Sequence, residues 1–153
     1  MRRLRVYADT SVFGGILDEE FSKASERFFD GVRRGRFSVL LSDEIVRELL
    51  RAPERVRDAW RGLPAESVER VMLGDAAKAL AREYIEAGVV GPASESDALH
   101  VAVATVAGAD MILSWNFRHI VSYNRIVGFN GVNVRNGYRA MVILSPLEVG
   151  YED

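Results

Sequence analysis

Three oxygen-bearing side chains stand where a strand or loop hands over to a helix or turn, the places where an open α/β sheet gathers its ligands, and a fourth lies on a helix that can reach them. Asp9 follows the strand-like run Leu4 to Ala8 and precedes Thr10-Ser11, residues able to cap a helix. Glu48 lies in a helix that the Ser42-Asp43-Glu44 cap signature opens. At about 100° per residue, Ile45, Val46, Leu49 and Leu50 centre the apolar stripe of that helix, and Glu48 falls at its border, roughly 130° from the centre. Glu48 can therefore turn towards a cleft at the sheet edge, whereas Glu44 falls at the back and reads as a solvated charge in the first turn. Asp97 opens the most apolar helix of the chain, with Ser94-Glu95-Ser96-Asp97 fitting a variant of the capping box. Asn116 ends the run Ala109 to Trp115 just as Asp9 ends the first strand, so both should face one end of the sheet. Asp110 begins that run instead, on the order of 15 Å from the Asn116 end, which excludes it from a common site.

Three carboxylates and an amide oxygen at one sheet edge repel one another unless a cation sits between them. Hard oxygen ligands without histidine or cysteine favour Mg²⁺ or Mn²⁺ over zinc, and such an ion could polarise a phosphodiester and activate a water. The chain has no cysteine, which excludes disulfides, thiolate zinc sites and cysteine nucleophiles. Its 20 basic and 22 acidic residues leave a net charge of −2, so nucleic acid would have to meet a local basic patch. Arg118 and His119 flank the proposed site and could meet a phosphate. Thr10 and Ser11 could hydrogen-bond Asp9 or a metal-bound water, or serve only as caps. His100, three residues after Asp97 and on the same helical face, reads as a packed core histidine.

The elements that must position these residues alternate along the chain. Its 153 residues, 48% hydrophobic and 27% charged, fit one domain over 1–153. With no uncharged apolar run of about 18 residues, and an N-terminus that leads straight into a strand, neither a membrane span nor a signal peptide is expected, and the chain reads as cytoplasmic. Strands are predicted at Leu4 to Ala8, Phe37 to Leu41, Ala109 to Trp115 and Ala140 to Leu144. Helices are predicted from about Phe21 to Arg34, from Ser42 to before Pro53, over Asp75 to Ala87, and over Asp97 to Ala107. Arg55 to Met72 reads as one or two short amphipathic helices broken near Gly62-Leu63-Pro64. Asn116 to Tyr138, which holds all five asparagines, reads as an irregular surface loop. Strands separated by helices indicate a three-layer α/β/α sandwich on a mainly parallel sheet with right-handed crossovers.

Tyr7-Ala8-Asp9-Thr10-Ser11-Val12, Ser42 followed six positions later by Glu48-Leu49, Asp97-Ala98-Leu99-His100-Val101-Ala102 and Ser114-Trp115-Asn116-Phe117-Arg118-His119-Ile120 together resemble a PIN domain, the nuclease fold that includes VapC-type toxins. The resemblance spans nearly the whole chain in the right order. It implies a Mg²⁺- or Mn²⁺-dependent ribonuclease with Asp9, Glu48 and Asp97 as acids of the metal site. Many PIN nucleases carry aspartate where this chain has Asn116, whose amide can bind a hard cation but brings no charge; the SWNFRHI form resembles a subgroup of small PIN proteins in which this asparagine is usual. RNA as substrate, an antitoxin protein and a second copy of the chain are the partners to expect. The rival reading is a PIN-like module that binds RNA or protein with weak or no catalysis. A receiver domain would need a lysine at a late strand end, and a haloacid-dehalogenase-like phosphatase an aspartate at position 11, where Ser11 stands; neither is met.

Overall fold

The structure, a computed structural model describing residues 3–150, carries five strands: β1 (Leu4–Ala8), β2 (Phe37–Ser42), β3 (Val68–Val71), β4 (Met111–Leu113) and β5 (Val142–Leu144). All neighbouring pairs are parallel, in the order β3-β2-β1-β4-β5. The inner strands are buried on both faces, so they are written as near-continuous apolar runs: Val6, Tyr7 and Ala8, then Val39, Leu40 and Leu41, then Ile112 and Leu113.

Seven helices cover the two faces. On one side, α1 (Thr10–Gly14), α2 (Ser22–Arg33), α3 (Asp43–Leu50) and α4 (Glu54–Arg61) pack together around Phe13, Phe28 and Phe29, whose rings lie 4.9 and 5.3 Å apart. On the other, α5 (Asp75–Glu86), α6 (Glu95–Val106) and α7 (Tyr123–Arg135) pack against one another. The three-layer α/β/α architecture on a parallel sheet is as the sequence predicts. Because the chain leaves β1 towards β2 and later returns to place β4 on the other side of β1, the crevice between β1 and β4 is the topological switch point of the sheet.

Three expectations are corrected. Residues 68–71, read as part of a helix, form the edge strand β3, paired from Val39↔Val68 to Ser42↔Val71. Its Glu69 and Arg70 suit an edge, where charge discourages further strand addition. The stretch from Asn116 to Tyr138 is not a loop throughout, since thirteen of its residues form α7. This helix ends conventionally: Gly137, at φ 84°, takes up the left-handed position that side-chain-bearing residues avoid. Finally, α6 starts at Glu95, with Asp97 inside its first turn, and Ser94 makes no side-chain cap. The expected capping box is absent, which leaves the Asp97 carboxylate available to other partners.

Candidate functional site

Asp9 sits at the switch point because β1 ends there. Its backbone N–H continues the ladder onto Leu113 O (3.1 Å), and its extended conformation makes it the N-cap of α1. Asp9 is buried, 4% exposed. Oδ1 accepts from the Ser11 backbone N–H (3.0 Å) and from the Ser11 hydroxyl; Oδ2 accepts from the Ser114 hydroxyl (2.5 Å). Burial pushes the Asp9 pKa above its ordinary value, against the opposing pull of the Ser11 and Ser114 hydroxyls. The same two hydroxyls tie down the exit of β4, Ser11 accepting from Trp115 N–H (2.8 Å) and Ser114 from Asn116 N–H (2.9 Å).

Glu48 lies on the border of the α3 stripe, as the helical wheel predicts, with its side chain about one-third exposed. Oε2 accepts from the Thr10 hydroxyl and Oε1 meets His100 Nε2 at 3.1 Å. Burial alone would raise the Glu48 pKa; the hydrogen bonds from His100 and Thr10 outweigh it and hold the value below normal. His100 is buried, and burial would lower its pKa, yet the Glu48 hydrogen bond and the charges of Asp9, Glu48 and Asp97 raise it overall. Behind it, His100 Nδ1 lies 2.7 Å from the Tyr7 hydroxyl, itself 2.8 Å from Ser42 Oγ, which caps α3 by accepting from Ile45 N–H. Since a carboxylate only accepts, Nε2 carries a proton; in the neutral ring Nδ1 then accepts from Tyr7 and Tyr7 from Ser42. Every member of this buried chain is satisfied.

Asp97 faces the loop after β4. Its Oδ1 accepts from Asn116 Nδ2 (3.1 Å) and its Oδ2 lies 3.2 Å from His119 Nδ1. Asn116 Oδ1 accepts from the His119 backbone N–H (2.9 Å), which can only donate, so the amide orientation is fixed. The oxygen that the sequence reading turns towards an ion is therefore engaged by the backbone, and Asn116 presents a donor to Asp97. Arg118 is exposed at the rim of this turn.

The fold thus gathers Asp9, Ser11, Asp97, Asn116 and His119 into one hydrogen-bonded network through Ser114, with Arg118 beside it, and Thr10 and Glu48 into a second with His100. Asp110 lies at the opposite end of its strand, where it accepts from Arg5 N–H (2.8 Å). Tyr7 and Ser114 have no role in the sequence reading, and Ser42 has only that of a helix cap. Only their positions in the quoted motifs hint at one, because a hydroxyl at a strand end looks like an ordinary cap until its partner strand is known.

No lysine or arginine among the described residues hydrogen-bonds or ion-pairs with Asp9, Glu48 or Asp97. Asp9 is a buried carboxylate held only by neutral donors, and an all-oxygen acid set of this kind suits a hard divalent cation. As they stand, the described residues contain no preformed group of three acidic or histidine side chains around one point. Asp9 and Asp97 are joined by hydrogen bonds through Ser114 and Asn116, and Glu48 is bonded to Thr10, the residue after Asp9.

The chain belongs to the PIN domain family, whose model matches residues 5–118. No functionally curated protein matches it in sequence. Among solved structures, it is similar to VapBC2 from Rickettsia felis bound to a DNA fragment from its promoter, with a TM-score of 0.58 at 8% identity, covering 93% of this chain and 98% of that one. It is similar to FitAcB from Neisseria gonorrhoeae (TM-score 0.57, 13% identity, 94% and 99% covered). A third likeness is to Mycobacterium tuberculosis VapC20, described as a Sarcin-Ricin loop cleaving toxin (TM-score 0.53, 16% identity, 70% and 86% covered). At such identities these likenesses establish the fold.

Proposed function

We propose that this chain is a Mg²⁺- or Mn²⁺-dependent endoribonuclease of the VapC type, acting as the toxin of a toxin–antitoxin pair. The observation that carries the reading is the set of three carboxylates, Asp9, Glu48 and Asp97, at the topological switch point with no arginine or lysine among the described residues bonded to them. These three would hold the cation. The resemblance of the SWNFRHI segment to small PIN proteins that usually carry this asparagine supports the same reading. An ion bound there supplies polarisation of a phosphodiester and activation of water for attack at phosphorus.

The chain's own residues divide the remaining work. Ser11 and Ser114 fix the Asp9 carboxylate from both sides. Thr10 and His100 fix Glu48 while keeping it ionised, and Asn116 and His119 fix Asp97. Arg118, exposed at the rim, would meet a backbone phosphate. An RNA loop is the favoured substrate because VapC20, of the same fold, is described as cleaving one. VapBC2 and FitAcB, which this fold resembles, support a protein partner of the antitoxin kind, and a second copy of the chain completes the expected assembly.

The test is cleavage of RNA by the purified chain in Mg²⁺ or Mn²⁺. EDTA should abolish it, and Asp9→Asn should reduce it by at least about a hundredfold. Cleavage that survives either treatment would refute the mechanism. The binding-module reading draws on the absence of a preformed acid cage among the described residues and on the donor face that Asn116 turns to Asp97. It would gain if the chain bound RNA and cut none.

A further inference from the structure

Phe117 is a large aromatic side chain held at the surface beside the acid network. It is 46% exposed, although it follows Asn116, whose amide clamps Asp97, and precedes Arg118 and His119. Its setting is rigid. The Trp115 ring lies stacked on Phe21, with centroids 4.1 Å apart and planes 16° from parallel. The Trp115 indole N–H donates to Ser25 Oγ (2.9 Å). Gly15 makes room for this arrangement, since a Cβ there would come within 2.7 Å of the Trp115 indole nitrogen and 2.6 Å of Ser25 Oγ. Phe117 leans on both rings, 6.1 Å from Trp115 at 63° and 6.4 Å from Phe21 at 54°, and its backbone N–H donates to Trp115 O (2.9 Å).

We propose that Phe117 is a stacking platform for an unpaired nucleobase of an RNA strand whose phosphate lies at the acid site. This rests on the nuclease reading and adds to it a substrate feature, a base that is free of a pairing partner and splayed from its strand. Three properties favour a nucleobase as the occupant. An aromatic face held by neighbouring rings loses little freedom when a base stacks on it. The adjacent Arg118 is exposed and forms no ion pair among the described residues, so it supplies charge complementary to the phosphate that accompanies every base. The platform is also joined directly to Asn116, so a stacked base would set the register of the strand against Asp97. Stacking requires only a π-face, and the site therefore selects for the unpaired state before it selects for sequence.

The experiment uses the full chain carrying Asp9→Asn, so that the probe is not consumed, and a short single-stranded RNA containing one 2-aminopurine in Mg²⁺. Binding should quench the 2-aminopurine fluorescence. Adding Phe117→Ala should weaken the affinity by about tenfold and remove the quenching, while Phe117→Trp should retain both. Because Phe117 is nearly half exposed and lies outside the core, neither change should disturb folding, which the thermal midpoint checks. An unchanged affinity and quenching in Phe117→Ala would overturn the proposal and leave Phe117 as a surface for a protein partner. Absence of RNA binding by the parent chain would overturn it as well. Cleavage by the unmodified chain is read separately: RNA cut normally by Phe117→Ala removes the platform alone, whereas Phe117-dependent quenching without any cleavage by the unmodified chain removes the nuclease reading alone.

Discussion

The two ends of the parallel sheet carry acids in opposite circumstances. At the amino ends of the strands, charge is closed by arginine. Arg5 binds Glu69 through two nitrogens (3.0 and 2.6 Å) and reaches the last carbonyls near α6, Ala107 O and Gly108 O, while Asp110 accepts from the Arg5 backbone. At the carboxyl ends, Asp9, Glu48 and Asp97 meet hydroxyls, an amide, backbone N–H groups and imidazoles, with no arginine or lysine among the described residues. Bidentate arginine pairing satisfies a carboxylate and ends its chemistry. Hydroxyls, amides and imidazoles orient a carboxylate without the closed bidentate fork of arginine, so the same residue type serves structure at one edge and is left to bind something cationic at the other.

This contrast should survive dissection by mutation. Glu48→Gln keeps the shape and the Thr10 contact but removes a charge, and should lower RNA cleavage by about a hundredfold with little change in the urea midpoint. Arg5→Ala should do the reverse. Losing its charge-assisted hydrogen bonds should cost about 2–3 kcal/mol in urea denaturation, while the metal dependence of cleavage stays the same. Asn116→Asp sets a carboxylate against Asp97 in place of an amide donor. It should destabilise the metal-free fold by about 1–2 kcal/mol, and Mn²⁺ should raise the thermal midpoint of this variant more than that of the parent. Asp9→Asn tests the cost of burying an uncompensated charge. The folded pKa is raised, so the parent loses stability as pH rises from the unfolded value near 4 up through the folded value; the metal-free variant should be more stable than the parent near neutral pH, the gain vanishing below about pH 4, where both states of the parent hold the proton. The smallest effect belongs to Tyr7→Phe, which leaves His100 and Ser42 each short of a partner. A loss of about 1 kcal/mol is expected, with cleavage reduced only severalfold.

Much of this was legible in the sequence, and the failures have physical causes. Asp9 and Glu48 were placed by strand ends and by a helical wheel, both of which depend on local periodicity alone. β3 was hidden because Val68-Glu69-Arg70-Val71 is short and charged, as an edge strand should be. α7 was hidden because its asparagines and glycines have poor helix propensity, which tertiary contacts override. Phe129 packs edge-on to Tyr84 at 4.9 Å, and the buried Asn133 binds the Tyr84 hydroxyl, so a polar residue occupies what is a core position at helical spacing from Phe129. Gly128 is explained by closeness, since a Cβ there would come within 2.9 Å of Val89. The His100–Tyr7–Ser42 chain joins α6, β1 and the end of β2, and no local pattern announces a contact across such separations. The donor role of Asn116 was equally invisible, because it depends on where the His119 N–H points.

The most direct test is a calorimetric titration of Mn²⁺ into the metal-free chain near neutral pH, with Glu48→Gln and Arg5→Ala alongside. If the carboxyl-end acids are held open for a cation, the parent and Arg5→Ala should bind Mn²⁺ saturably and alike, and Glu48→Gln should bind it at least about tenfold more weakly. No binding by the parent, or equal binding by Glu48→Gln, would contradict the account.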